Sequence, residues 1–179
     1  MRELKEFTIP FVGLKLGEHH FTFKITEAFF EHFEYDEFNS ASIDLEVTLH
    51  KKTTLLEFSI AFNGHVNVAC DLTNEPFDQN IDGSYHFVVK FGESYNDENE
   101  DLLIIPHGSY EVNIQQYVYE TIVLSVPNRR IHPGIEDGTL KSDILDKLEE
   151  LSVKDLDEKE ESPDTDPRWD TLKKLLTDK

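Results

Sequence analysis

Alternation of apolar and polar residues in two runs, 43–49 and 56–62, constrains the fold of this chain more than any other feature. Apolar side chains recur at every second position over 43–49, and again over 56–62. A period of two is typical of β-strands that bury one face. Similar runs at 21–25 and 85–91 add two more strands, so the sequence predicts a core built on a sheet.

Short connections between these runs predict how the strands pair. Asn63-Gly64 is a two-residue hairpin sequence, which predicts a turn there and a returning strand over 65–70. Consecutive strands joined by short loops pair antiparallel, because parallel neighbours need a long crossover. The prediction is therefore an antiparallel β-meander, either open or curled towards a barrel.

Two helices are predicted to pack on this sheet, which makes the fold class α+β. Three phenylalanines share one face of a helix near 26–34, and Thr26 is its predicted N-cap. A second helix is predicted over 113–126, with a capping box that begins at Asn113 and an end at Pro127. The many β-branched residues of this segment leave a strand as the alternative.

The aromatic-rich pattern stops at Pro133, which predicts a β-rich core domain with two helices over 1–133. Residues 134–179 then form an acidic tail with short helices. Within the core domain, the run 93–101 contains five acids and no base, so we expect it to be mobile.

The tail carries few apolar residues, and these are spaced like helix faces. Weak helices are predicted around 140–151 and 168–176. Between them, the acid-rich stretch Asp155–Asp166 is expected to be disordered, because it holds too little apolar surface to offset the entropy of ordering.

Charge excludes several classes of function. The 179 residues include 37 Asp+Glu and 17 Lys+Arg, for a formal net charge of -20. Such a surface repels phosphate backbones, which disfavours binding to DNA or wholesale binding to RNA. No stretch approaches the ~20 apolar residues of a transmembrane helix, and the N-terminus lacks the apolar run of a secretory signal. We therefore expect a cytoplasmic protein that does not contact membranes.

Motifs of catalysis and metal binding do not occur in the sequence. The eight histidines show no zinc-ligand spacing, and a single cysteine excludes a multi-cysteine zinc site and an intramolecular disulfide. Nucleophile elbow, phosphate loop and dinucleotide fingerprint are all missing. We expect no metal, no cofactor and no enzymatic activity. A small hydrolase or metal-dependent enzyme is the alternative, and it would need a pocket where His and carboxylate side chains converge.

The segment 70–77, at the end of a predicted strand, is one candidate for binding a ligand or partner. Asn74 and Pro76 are equally typical of a plain turn. Cys70 fits a small buried apolar residue better than a nucleophile. His65 lies an odd number of residues away on the same predicted strand, so its side chain should point to the opposite face.

Two further segments could contact a partner. The segment 128–133 is the one basic island, and Arg129 and Arg130 would suit phosphate or carboxylate groups. Equally, they could complement the C-terminal dipole of the preceding helix. The amphipathic segment 166–176 is too short for a stable isolated helix, so it must dock either on its own core or on a partner.

Taken in order, these segments resemble the YceD family, the large ribosomal RNA subunit accumulation proteins. The resemblance rests on Ala28-Phe29-Phe30-Glu31, Gly64 through Asp71, Glu75-Pro76-Phe77, the predicted helix 117–127 leading into Arg129 through Pro133, and Asp166-Pro167-Arg168-Trp169 through Leu175. Many relatives carry Cys-x-x-Cys with an arginine between the cysteines. Here Leu72 and Thr73 stand at the arginine and second cysteine positions, so no metal or redox role is implied.

The resemblance implies a non-enzymatic role in the accumulation of large-subunit ribosomal RNA and in ribosome assembly. An acidic surface attracts Lys/Arg-rich proteins, so the expected partner is a basic ribosomal protein or a pre-large-subunit particle, with local contact to ribosomal RNA at the basic island. An acidic adaptor or chaperone unrelated to ribosomes is the alternative. The candidate binding residues are Cys70, Asp71, Glu75, Pro76, Phe77, Arg129, Arg130, His132, Asp166, Pro167, Arg168 and Trp169.

Overall fold

The computed structural model of the protein describes residues 4–151, which form eight β-strands, four α-helices and a 3-10 turn at Lys5–Phe7. The strands are β1 (Thr8–Pro10), β2 (Gly17–Thr26), β3 (Ser40–Lys51), β4 (Leu55–Ala69), β5 (Pro76–Gly92), β6 (Asn96–Asn99), β7 (Leu102–Pro106) and β8 (Glu111–Asn113). The helices are α1 (Glu27–His32), α2 (Gln115–Ser125), α3 (Pro133–Glu136) and α4 (Asp143–Leu151). None of these helices is both long and apolar enough to cross a lipid bilayer.

The chain divides into two units, Met1–Ser142 and Asp143–Lys179. The first unit continues past Pro133, through α3, to Ser142. Of the second unit the structure describes α4, which coincides with the helix predicted around 140–151. The predicted disordered stretch 155–166 and the predicted helix 168–176 lie outside the described residues.

Six strands of the first unit form one sheet in the order β2-β3-β4-β5-β7-β6. Strands β2 to β5 pair antiparallel with their neighbours in chain order, so the predicted meander is confirmed over these four strands. Strands β1 and β8 pair in a second, two-stranded sheet, where Ile9 lies opposite Val112 and both side chains are buried. Strands and helices are combined as the α+β class predicts.

Alternation along β3, β4 and β5 places every second side chain in the core, as predicted. Each fully buried side chain of this size contributes roughly 1.5–3 kcal/mol to folding through the apolar surface it removes from water. The opposite face of the sheet carries mostly polar side chains. The inward residues of the three strands that are buried are Ala41, Ile43, Leu45, Val47, Leu49, Leu56, Phe58, Ile60, Phe62, Val66, Val68, Phe77, Ile81, Phe87 and Val89.

The predicted turn at Asn63-Gly64 is wrong, because β4 runs through both residues and ends at Ala69. The phase of the alternation does not reverse there: Phe62 and Val66 are both buried on the same side. Gly64 lies opposite Ile43 in β3, and a Cβ on Gly64 would come within 2.3 Å of the Ser42 carbonyl oxygen. The glycine therefore permits a close approach of two strands rather than a turn.

The prediction of a wholly antiparallel and possibly barrel-like sheet is also wrong in part. Strand β7 pairs parallel with β5, and β6 pairs antiparallel with β7 on the outer side. Strands β2 and β6 are the two edges, so the sheet of the described residues is open. Part of the acidic run 93–101, expected to be mobile, forms β6. The sequence pattern did not predict β6, because all four of its residues are polar and show no alternation of apolar and polar side chains.

Both predicted core helices are present, with different end contacts from those expected. Thr26 precedes α1 as its N-cap residue, but its side chain makes no capping hydrogen bond. Asn113 Oδ1 accepts from the backbone N–H of Gln115 at 2.9 Å, whereas Gln116 donates to Glu120 instead of completing a capping box. Helix α2 ends two residues before Pro127, as the restriction that proline places on its predecessor requires.

Gly64→Ala tests the close approach of β3 and β4. We expect it to lower the free energy of unfolding by about 2 kcal/mol or more, because the added methyl group meets backbone that cannot move aside. Gly13→Ala is the matched control, since nothing lies within 4 Å of a Cβ there. Urea unfolding of both variants is the measurement, and equal midpoints would contradict this explanation of Gly64.

Candidate functional site

Two of the segments singled out in the sequence meet in the folded first unit. The loop that joins β4 to β5 lies against the segment that follows α2. The backbone N–H of Asp71 donates to the Arg130 carbonyl oxygen at 2.8 Å, and the backbone N–H of Arg130 donates to Asp71 Oδ2 at 2.6 Å. Residues 70–77 and 129–132 together are named the loop junction, and this contact joins positions 59 residues apart in the chain.

The first side of the loop junction is a tight turn. The backbone N–H of Cys70 donates to the Glu75 carbonyl oxygen at 2.9 Å, and that of Asn74 donates to the Cys70 carbonyl oxygen at 2.8 Å. Asn74 has φ of 59°, in the left-handed region that asparagine tolerates better than most residues. Pro76 is the first residue of β5, where its missing N–H costs no ladder bond. Asn74 and Pro76 thus shape the loop, and binding by this loop stays a prediction.

The two arginines of the basic island have different surroundings. Arg130 Nη1 lies 3.0 Å from Glu37 Oε2, and its Nε lies 3.5 Å from Asp71 Oδ1. Arg129 is exposed, and within the described part of the chain it forms no ion pair. Arg130 therefore holds the junction together, while Arg129 remains available to an anionic partner.

Sequence reasoning missed Glu37, which follows α1 and lies 93 positions before Arg130. Its carboxylate also accepts a hydrogen bond from the Tyr35 hydroxyl at 3.4 Å. Burial, reinforced by this carboxylate, raises the pKa of Tyr35 to about 12. Nothing in the local sequence marks Glu37 as a partner of the basic island, because the contact depends on the tertiary fold.

Cys70 is buried at the centre of the loop junction, with 2% of its surface exposed. Its sulfur accepts from the backbone N–H of His132 at 3.3 Å. Burial by itself raises the pKa of this thiol, but hydrogen bonds from the Thr73 side chain and from the backbone of His132, Leu72 and Thr73 lower it below its usual value. The Thr73 side chain thus places a hydroxyl beside Cys70.

His132 and Phe77 are held in place by packing and backbone contacts. Their ring centroids are 5.5 Å apart, and Phe77 is buried. The Nδ1 atom of His132 accepts from the backbone N–H of Gly134 at 2.9 Å, which caps the start of α3. These two residues, like Cys70, therefore support the junction from inside, whereas its exposed members are Asp71, Asn74, Pro76 and Arg129.

Beside the loop junction lies a small depression of about 190 Å³, formed between the loop after α1 and the end of α2. Its one described cationic side chain, Arg130, is paired with Glu37. Across residues 4–151, no group of three or more His, Cys, Asp and Glu side chains is arranged to hold a metal ion. The remaining candidates from the sequence, Asp166 to Trp169, lie outside the described residues.

Comparison with known families gives one match. A family model described as "Large ribosomal RNA subunit accumulation protein YceD" matches residues 58–176. The matched range includes both sides of the loop junction and the whole of α2. Among curated proteins and solved structures, none matches the chain.

Arg130→Met tests the structural role of the ion pairs at the junction. We expect the free energy of unfolding to fall by about 1 kcal/mol, the upper end for partly exposed pairs, because two carboxylates lose the same cation. The loss should shrink at high salt, where the attraction is screened.

Arg129→Met is the matched control for this measurement. It removes the same charge from the neighbouring residue without breaking an ion pair of the described structure, so the unfolding midpoint should stay close to that of the unchanged protein. If chemical denaturation finds the two variants equally stable, Arg130 does not hold the junction together.

Proposed function

Because the chain belongs to the YceD family, we propose that it is a non-enzymatic factor that promotes the accumulation or processing of large-subunit ribosomal RNA during ribosome assembly. The match over residues 58–176 is the observation that carries this proposal. The role places the protein in the cytoplasm, where ribosomal subunits mature. It acts by binding, and no step of covalent chemistry is assigned to it.

The proposed partner is a basic ribosomal protein or the pre-large-subunit particle that contains it. The chain carries a net charge of -20, and potentials of one sign over a surface attract partners of the opposite sign and speed their encounter. Free RNA would be repelled by the same surface. Ribosomal proteins rich in Lys and Arg are the component of the particle with the matching charge.

The outward face of the large sheet shows that negative charge is spread over the folded first unit. Across β2 to β5 its lysines are Lys24 and Lys90, and Lys24 lies 3.8 Å from Asp44. Acidic side chains outnumber them on the same strands. The exposed acids of this face are Glu18, Asp44, Glu46, Asp78 and Asp82. Acidity is therefore a property of the folded first unit and is not confined to the tail.

The contacts at the loop junction reduce the candidates for binding ribosomal RNA to one residue of the basic island. Of the three residues of the basic island considered for it, Arg130 is paired with two carboxylates and His132 caps α3. Arg129 is exposed and positioned to meet a phosphate group. RNA contact is thus assigned to Arg129, as a local exception on an acidic surface.

Co-sedimentation with pre-large-subunit particles tests the proposed function. We expect the tagged protein to sediment with these particles at low salt and to be released as salt rises, because the screening length falls from about 10 Å at 0.1 M to about 3 Å at 1 M. Arg129→Met should weaken the association about two- to fivefold, in line with one exposed charge pair.

Failure of the unchanged protein to sediment with the particles would overturn the proposed function. So would an association that does not respond to salt, since the proposal rests on charge. Recovery of mainly non-ribosomal partners would favour the alternative of an adaptor unrelated to ribosomes.

A further inference from the structure

A groove of about 840 Å³ lies between α2 and the strands β5, β6, β7 and β8 of the first unit. It is named the α2 groove. Three tyrosines, Tyr85, Tyr95 and Tyr117, line it together with four acids, which are Asp97, Glu111 and Glu120 on β6, β8 and α2, and Glu100 directly after β6. None of these residues forms a recognisable site motif in the sequence.

Two lining tyrosines of the groove, Tyr85 and Tyr117, belong to a stack of aromatic rings that continues into the buried core. Phe58 and Phe87 stack at 5.0 Å between centroids, and Tyr117 of α2 stacks on Phe87 at 4.1 Å. The Tyr85 ring lies 6.1 Å from that of Tyr117, and its hydroxyl donates to the Glu100 carbonyl oxygen. Because Phe58 and Phe87 belong to the core, the tyrosines are held in position before any partner arrives.

The carboxylates of the groove are not neutralised within the described structure. No Lys, Arg or His occurs among the described residues that line it. None of Asp97, Glu111 and Glu120 takes part in the ion pairs formed within residues 4–151. Burial raises the pKa of Tyr85, and the carboxylates of Asp101, Glu100 and Glu120 raise it further, which reflects the negative potential here.

We propose that the α2 groove binds a Lys/Arg-rich segment of the partner protein. This inference rests on the proposed function and names the surface through which it acts. Guanidinium and ammonium groups would pair with the carboxylates and lie over the tyrosine rings, while their apolar stems cover the aromatic surface. The carboxylates and the tyrosine rings that would make these two kinds of contact line the same groove.

Charge argues against the other possible occupants. An RNA strand would bring phosphates against carboxylates. A second copy of this chain would bring another net charge of -20, and the chain's own residues 152–179 contain more acids than bases. A cationic segment is the occupant with the complementary sign.

Binding of a fluorescein-labelled peptide of alternating arginine and glycine tests the groove in the full-length protein. The groove variant combines Asp97→Asn, Glu111→Gln and Glu120→Gln. We expect it to bind the peptide about tenfold more weakly than the unchanged protein, because three exposed charge pairs are lost.

The control variant combines Glu18→Gln, Glu46→Gln and Asp82→Asn, which makes the same change in net charge on the outward face of the sheet. It should bind the peptide within about twofold of the unchanged protein. Equal loss in the groove and control variants would show diffuse attraction and overturn the proposal. Absence of peptide binding to the unchanged protein would overturn it too.

Single tyrosine substitutions test the aromatic contact without risk to the core. Tyr95 lines the groove and Tyr110 does not, and both are exposed, at 59% and 62%. Tyr95→Ala should weaken peptide binding about threefold, the size of an exposed cation–π contact, while Tyr110→Ala leaves it unchanged. The reverse order would contradict the assignment of the peptide to this groove.

Two further experiments distinguish a cationic partner segment from the other possible occupants of the groove, which are RNA and the chain's own C-terminal residues. Displacement of the peptide from the unchanged protein by a uridine oligonucleotide would assign the groove to RNA and overturn the proposal. Neutralising Arg168, Lys173 and Lys174 together should leave peptide binding unchanged. Tighter binding after that change would identify the chain's own tail as the occupant and overturn the proposal.

Failure of this inference is distinguishable from failure of the proposed function. If the groove variant sediments with pre-large-subunit particles as the unchanged protein does, the groove is the wrong surface while the function stands. If the unchanged protein binds the peptide in the groove but never sediments with the particles, the groove is correct and the ribosomal role is wrong.

Discussion

Unbroken alternation along β3, β4 and β5 is the constraint on which the rest of the structure depends. Because β4 keeps its phase through Gly64, the buried apolar side chains of three long strands lie on one face of the sheet. That face holds α2 against β5 through the stack of Tyr117 on Phe87. It also fixes where β4 ends, and so where Cys70 and Asp71 meet the segment after α2.

The sequence predicted the parts of the fold that follow from local periodicity. The strands around Leu45 and Phe58 were identifiable because each alternates over several residues. Asn63-Gly64 misled because the same dipeptide serves two purposes, a left-handed turn or a close approach of backbones, and a comparison of phase on either side distinguishes them. The parallel pairing of β7 with β5 has no local signature, since it depends on a detour through β6.

The candidate site was predictable only as separate pieces. The loop after Cys70 and the basic island both stood out by their residue types, yet their contact across 59 positions depends on the completed sheet. Glu37 gave no signal, and neither did the α2 groove, whose acids come from β6 and the residue directly after it, from β8 and from α2. Charged residues that are far apart in the sequence come together in this way only when the strands pair in their final register.

The loop junction and the α2 groove differ in how their charged side chains are paired. At the junction, Arg130 is neutralised by Asp71 and Glu37, so its charge serves the fold. In the groove, the carboxylates of Asp97 and Glu120 accept hydrogen bonds from Tyr95 and Gln116 but form no ion pair within the described structure, and for this reason a cationic segment is the proposed occupant. On the proposal made above, attraction to basic ribosomal proteins is the physical basis of the family role in large-subunit ribosomal RNA.

The measurement that tests this account most directly is the ratio of large- to small-subunit ribosomal RNA in cells depleted of the protein and then supplied with one of three forms of it. The account predicts that depletion lowers the ratio, that the unchanged protein and the outward-face variant restore it, and that the α2 groove variant does not. A normal ratio in depleted cells, or full restoration by the groove variant, would contradict it.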